Sequence, residues 1–441
     1  MVKLFNIFKI EKEYKKGLSN IKEWNYLRNY YREANFNRKS NSINKINKIE
    51  ALKSVFYGFK NWFKRYDYLI FSSSDARKEL NNIFYDVRSD YIAEILNQTL
   101  IVETPNPTHY KNISTKYIVS RRMIDLFTIV GELFLKIPDR NNVIDDINER
   151  FNINIDYRKI IKRFNIQYKI YKIWFKVIKP KLIFINCYYD KQYIVKAAHD
   201  IGIKVVDIQH GLIGKEHSAY YSSLNLDRKF LPDYLFVFTE QDKNNLIHSL
   251  LFEKSNIYVV GNYYLEIIKR NFNQDKNLCS IIEPYKLTIG VSLQWTIEND
   301  LIEFLISLAK NLPDTLFILI PRVYEEKKYK NFNLPKNIMF YPSLDCYSII
   351  MHCNYHCTVY STCAEEAASL KIPTILIDIN GLSRKYFTVQ DEIFILPKSI
   401  KAVITFIRGL PKEKNNNQTF QNDNNYTKNI KKALKNIGCA K

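Results

Sequence analysis

The run LIFIN at 182–186 decides how the rest of the chain is read, and TLFILI at 315–320 and PTILIDI at 373–379 repeat its pattern. None of the three alternates apolar with polar residues, as a strand with one wet face does, so each predicts a strand buried on both sides. Helix-length segments separate these runs from one another. Strands are predicted at 68–71, 99–102, 181–186, 204–208, 234–238, 257–260, 286–291, 316–320, 337–341, 356–360 and 374–379. Strands of this kind with helices between them indicate parallel sheets and an α/β fold class.

Working outward, the pattern lapses at EIIKRNFNQDKNLCSIIEP (266–284) and resumes with the strand KLTIGVSL (286–293). A domain boundary is expected there. This gives an N-terminal α/β domain over 1–270 with helical additions, a C-terminal α/β domain over 284–411, and a polar, basic tail over 412–441 that is expected to be mobile apart from a short helix near Lys428–Ile437. Two doubly wound, Rossmann-like domains would then face each other across a cleft, and ligands in such sheets bind outside the carboxyl ends of the strands.

The chain has 441 residues with 66 Lys+Arg against 45 Asp+Glu, a formal charge of +21, and 46% hydrophobic residues. That composition excludes collagen, coiled coil and wholesale disorder. No apolar run approaches the roughly 20 residues of a membrane helix, and MVKLFNIFKIEKEYKK does not read as a signal peptide. Seven scattered Cys fit a reducing compartment, so a cytoplasmic protein is expected. Zinc-finger, RRM and KH patterns are lacking; charge alone favours nucleic acid, and no nucleic-acid partner is expected.

The most specific segment is VVDIQHGLIGKEHSAYY at 205–221, where a buried strand runs into Gln209, His210 and Gly211, with Gly214, Glu216 and His217 close behind. An imidazole at a strand end either packs the turn or serves as a base near neutral pH. The glycines, the strand end and the second histidine favour the base, with Gln209, Gly211 and Gly214 shaping the loop. A second segment, HCTVYSTCAEEAASLKIPTILID (356–378), brings Ser361 and Thr362 to a helix start with Glu365 and Glu366 in its first turn. This is an anion site or an ordinary cap, and a cap does not exclude a ligand. Arg322 closes the strand at 315–320, either as a phosphate clamp or as a surface residue. In FSSSDAR (71–77), Asp75 stands where it could bind an acceptor hydroxyl or cap the next helix. Cys346, His352, Cys353, His356 and Cys357 match no zinc spacing, and no metal is expected. The helix predicted at 156–180 carries Arg158, Lys162, Lys169, Lys172, Lys176 and Lys179 opposite an apolar face, suited either to anionic lipid or to a core with solvated cations.

The QHG loop after a strand in the first domain, with VYSTCAEEAASLKIPTILI (359–377) in the second, resembles bacterial GT-B glycosyltransferases of surface polysaccharide biosynthesis, over roughly 66–408. That group includes capsule, Kdo and sialic acid transferases and the CDP-glycerol glycerophosphotransferases. The resemblance implies a metal-independent transferase without a cofactor, a nucleotide-sugar as substrate, and a glycan or lipid-linked glycan as acceptor at the anionic inner membrane surface. It implies Ser361, Thr362, Glu366 and Arg322 on the donor and His210 as base; the residues themselves add Asp75 and Glu216 as catalytic candidates and Glu365 as a donor ligand. One departure stands out: the His-Pro-Arg common in the group is Ile320-Pro321-Arg322 here. The alternatives are a transferase using a CDP-alcohol and, distantly, a basic nucleic-acid-binding protein.

Overall fold

A computed structural model describes residues 7–33, 48–72, 77–80, 83–104, 113, 117–215, 217–387, 392–411 and 425–439. The chain divides into two compact units, Met1–Tyr263 with Asn425–Lys441, and Tyr264–Asn424.

The first unit is built on seven parallel strands: β1 (Tyr68–Phe71), β4 (Thr99–Glu103), β5 (Ile118–Ser120), β6 (Leu182–Asn186), β7 (Lys204–Ile208), β8 (Tyr234–Val237) and β9 (Ile257–Val259), in the order β5-β4-β1-β6-β7-β8-β9. An antiparallel hairpin, β2 (Arg77–Leu80) with β3 (Ile83–Asp86), follows β1. Alternate side chains of each strand enter opposite layers. Leu69 and Phe71 pack with the long helix Tyr157–Ile178, where the Tyr171 ring meets Phe71 at 5.6 Å, while Ile70 faces the other layer. Asp156 caps that helix by accepting the Lys159 N–H, and Lys179 ends it in the left-handed region at φ 54°. Its Ile161, Phe164, Tyr171, Phe175 and Ile178 are buried, so the apolar face belongs to the core.

The second unit has six parallel strands, β10 (Leu287–Ser292), β11 (Thr315–Ile320), β12 (Ile338–Phe340), β13 (Tyr355–Thr358), β14 (Thr374–Asp378) and β15 (Ile393–Pro397), in the order β12-β11-β10-β13-β14-β15. Burial on both faces explains their unbroken apolar runs: every residue of β10 and β11 is buried. In each sheet the chain first winds outward from one central strand and then returns to its other side. The reversals fall between β1 and β6 and between β10 and β13, the places where such sheets receive ligands beyond the strand ends.

The tail helix expected near Lys428–Ile437 is present, and it packs on the first unit. Residues Asn425–Asn436 form a helix whose Tyr426, Ile430, Ala433 and Leu434 are buried against Ile70, Ile101 and Phe184 of the first sheet. The i, i+4, i+7, i+8 apolar stripe lies hidden among lysines and asparagines, and composition alone obscures it. Among the described residues, no helix is long and apolar enough to cross a membrane.

Candidate functional site

At the carboxyl end of β7 the backbone N–H of Gln209 still bonds to Phe236, and its side chain then locks the turn. Gln209 Oε1 accepts the Phe238 N–H at 2.7 Å, and its amide donates to Asp242 at 2.9 Å and to the Gly211 carbonyl at 3.0 Å. Asp242 in turn closes a capping box with Thr239. With its N–H and both side-chain polar atoms engaged, Gln209 holds the start of the loop firmly. The glycines contribute less than expected: a Cβ at Gly211 or Gly214 would meet nothing within 4 Å, and neither lies in the left-handed region, so local backbone geometry does not demand glycine there.

His210 Nε2 lies 3.0 Å from the Tyr189 hydroxyl, and the buried Nδ1 has no hydrogen-bond partner. Burial pushes the ring's pKa down to about 3, and the charges of Arg88, Lys191 and Arg32 add to the shift. The imidazole is therefore neutral at physiological pH. Tyr189 follows β6 in the turn Tyr188–Asp190, entered through Cys187 at φ 58°. Two residues on, Lys191 Nζ donates to the Asn186 carbonyl at 2.7 Å, and burial lowers its pKa. Asn186 donates to Ser72 at the end of β1, while its buried Oδ1 is unpartnered. Two unmatched polar atoms thus sit at the β1–β6 reversal and its neighbour β7, where a ligand could satisfy them.

Other groups nearby are already committed. Arg77 bridges Asp90 and Glu103, each at 3.0 Å, and Asp86 accepts the hydroxyls of Ser72 and Ser89. Asp207 accepts the Tyr220 hydroxyl and the Tyr188 N–H, and burial raises its pKa to about 7. The second histidine is structural: Arg32 Nη1 stands 3.2 Å from His217 Nε2, and since a guanidinium only donates, the ring accepts and is neutral. The buried pair Arg28–Glu11 holds the segment behind it, Arg28 donating to the Ser218 and Tyr221 carbonyls and Glu11 accepting from Ser222 and Ser223.

In the second unit, His356 is wholly buried in β13, between the hydroxyls of Ser292 (2.8 Å) and Thr374 (3.2 Å), and burial pushes its pKa down to about 3. It ties the central strands together beneath the β10–β13 reversal. Above it, Gln294 accepts the Tyr360 N–H at 2.9 Å, Ser361 Oγ accepts the Cys363 N–H at 3.2 Å, and Thr362 makes no capping bond with its hydroxyl. Ser361 is thus partly a cap, as one of the two readings had it. Glu365 and Glu366 lie in the first turn of the helix Cys363–Ser369, and Glu366 accepts the Tyr347 hydroxyl at 2.8 Å. Cys363 is drawn down to a pKa of about 6 by the thiol of Cys346, with Ser361, Ser292 and Glu366 also contributing. Arg322 is exposed just past the carboxyl end of β11. Among the described residues, no group of three or more His, Cys, Asp or Glu could hold a metal ion.

No protein-family model matches the chain, and no curated protein matches it in sequence. Solved structures do share its architecture. The UDP-GlcNAc 2-epimerase from Methanocaldococcus jannaschii is 15% identical, with 84% of this chain and 99% of that one covered at a TM-score of 0.51. A protein described as a UDP-N-acetylglucosamine 2-epimerase from Listeria monocytogenes is 12% identical, with 84% and 95% covered at 0.52. The chain has a GT-B-like fold. Identities this low establish the fold of the GT-B-like chain and nothing finer.

The first unit therefore carries Gln209, His210, Gly211 and Gly214, and the second brings Ser361, Thr362, Glu365 and Glu366 to one helix start with Arg322 two strands away. Asp75 and Glu216 lie outside the described residues. Sequence reading missed Asn186, Tyr189 and Lys191, whose only signal was their place at and just after the end of the strand LIFIN. It also missed Trp295, 59% exposed beyond the end of β10, where an indole face is open for stacking.

Proposed function

We propose that the protein is a glycosyltransferase that moves a sugar from a nucleotide-sugar donor to a growing surface polysaccharide or lipid-linked oligosaccharide. The observation that carries this reading is the neutral His210 ring, with Nε2 held by Tyr189 and a buried, unpartnered Nδ1. With Nε2–H donating to the Tyr189 oxygen, Nδ1 presents a lone pair. It takes the proton of an acceptor hydroxyl as that oxygen bonds to the anomeric carbon and the bond to the nucleotide phosphate breaks. A pKa near 3 makes a weak base, and an anionic group bound beside Arg88 and Lys191 would offset their field and raise it. Backbone N–H groups and hydroxyls at Ser361 and Thr362, with Arg322, suit the leaving phosphates, and Glu366 suits a ribose hydroxyl. The named substrate of the two GT-B-like structures, UDP-GlcNAc, supports a sugar nucleotide as the donor.

Those same names favour a second reading, a reaction on the sugar nucleotide alone, without an acceptor. A CDP-alcohol transferase is a third and would use the same residues. A thermal-shift panel of UDP, CMP, GDP and CDP-glycerol addresses the shared premise, since a ligand at 100 times its Kd stabilises by about 2.7 kcal/mol. A shift with one of the first three and its parent sugar nucleotide supports a sugar donor. A shift with CDP-glycerol alone moves the assignment to the alcohol transferase, and no shift with any of them removes the nucleotide from the account.

A further inference from the structure

The helix Arg122–Phe134 buries Met123, Ile124 and Thr128, and at Gly131 it packs so closely on the long helix that a Cβ would meet Ile166 at 2.8 Å. Its outer face should then be polar, and it is not. Leu126, Phe127, Ile129, Val130, Leu133 and Phe134 are 40–80% exposed, and Leu135 and Ile137 continue the face. Near its start, where Arg122 bonds to Ser54, lie the exposed rings of Phe56, Phe59 and Phe63, successive members 6.3 and 5.4 Å apart. The long helix runs alongside in the opposite direction, since Arg121 acts on Tyr171 at one end and Glu132 reaches Arg163 at the other. It adds exposed Ile173 and Val177 at the same end. Soluble surfaces rarely leave an apolar face of this extent uncovered.

The rim indicates what covers it. Lys60, Lys64 and Arg65 flank the phenylalanines, Lys136 and Arg140 follow the helix, and Lys169 and Lys176 share a face with Ile173 at i, i+4, i+7 spacing; all seven are exposed. The helix's acids are matched by neighbours: Asp125 stands 4.0 Å from Arg121, and Glu132 stands 3.9 Å from Arg163. Asp139 is the exposed acid of the rim. A two-fold contact between copies would set these cations against one another in a chain of charge +21. An anionic bilayer meets both features, taking the apolar side chains between headgroups and the lysines onto them.

We propose that the outer face of Arg122–Phe134, with Phe56, Phe59, Phe63 and the surrounding lysines, docks the protein on an anionic lipid surface. It shares Lys169 and Lys176 with the basic stripe read from the sequence, whose Arg158 donates to the Pro138 carbonyl and whose Lys172 bonds to Tyr168. The proposal places a lipid-linked acceptor beside the reading above but does not depend on it, and binding is measured without donor or acceptor.

The test is flotation of the full chain with vesicles of zwitterionic lipid, with and without about a quarter anionic lipid. Wild type should float with the anionic vesicles at low salt and less at high salt. L133E/F134E should lower the partition coefficient at least tenfold, and K60E/K64E/R65E should lower it on anionic vesicles only. Both sets lie on the exposed surface, and circular dichroism with a thermal melt verifies their folding. Folded L133E/F134E that floats like wild type would overturn the proposal, as would wild type that never floats. A concentration-dependent dimer in sedimentation, lost in L133E/F134E while vesicles go unbound, would overturn it in favour of a second copy.

Discussion

The Tyr189 hydroxyl and His210 Nε2 lie 3.0 Å apart, which leaves Nδ1 as the ring atom with an unfilled hydrogen bond. The proposed base uses the tautomer in which Nε2–H donates to the Tyr189 oxygen, which leaves the Nδ1 lone pair for the acceptor hydroxyl. His210→Ala should lower the transfer rate about 10²–10⁴-fold with nucleotide affinity nearly unchanged. Tyr189→Phe should cost about tenfold, the equivalent of one net hydrogen bond. Steady-state rates with calorimetric affinities check both, and wild-type turnover in His210→Ala would remove the histidine from the mechanism.

Glu366 accepts the Tyr347 hydroxyl at 2.8 Å, so its replacement has two routes to an effect. If Glu366 also binds the donor, Glu366→Ala should weaken nucleotide affinity by about 1–3 kcal/mol while Tyr347→Phe weakens it much less. Ser361→Ala and Thr362→Ala should each weaken it over the same range. Equal affinities in all four variants by calorimetry would reduce the segment to a helix cap.

Leu434 is fully buried in the layer beneath the first sheet. Leu434→Ala should destabilise the protein by about 2–5 kcal/mol, the usual cost of truncating a core leucine. A mobile tail would give a change within about 0.5 kcal/mol, and urea unfolding separates the two.

The His356 ring stays neutral in the folded protein down to about pH 3, while an unfolded histidine takes up a proton near its ordinary value of 6.5. As pH falls below 6.5 the unfolded state binds more protons, so this residue withdraws about 1.4 kcal/mol of stability per pH unit until the folded ring titrates. Asp207, raised to about 7, acts in the opposite sense between about pH 7 and 4, which flattens the wild-type curve. His356→Gln should therefore lose less stability than wild type between pH 6.5 and 5. Parallel curves in urea unfolding would mean that the ring is protonated inside the fold.

Strands legible as doubly buried runs, such as LIFIN, TLFILI and TILID, stand where they were expected, because burial on both faces leaves a plain hydrophobic record. The hairpin Arg77–Asp86, the three-residue β5 and the edge strand β15 were not legible. They are short, carry charges or end in Pro397, and only pairing with neighbours makes them strands. His210 was visible from its strand-end context. Tyr189 was not, since a tyrosine after a strand looks alike whether it faces solvent or a histidine 21 residues away in sequence, and Asn186 at the strand's last position reads as its polar end. The exposed face of Arg122–Phe134 escaped for the opposite reason: an apolar helix reads as core until the structure shows its side chains exposed.

Acceptor-dependent release of nucleotide from UDP-, CMP- and GDP-sugars, followed in wild type and His210→Ala, tests the transferase reading most directly. One donor should release its nucleotide only when a glycan acceptor is present, with the rate falling about 10²–10⁴-fold in the variant. Conversion of the donor to an isomeric sugar nucleotide without any release, or release that ignores both acceptor and His210, would contradict it.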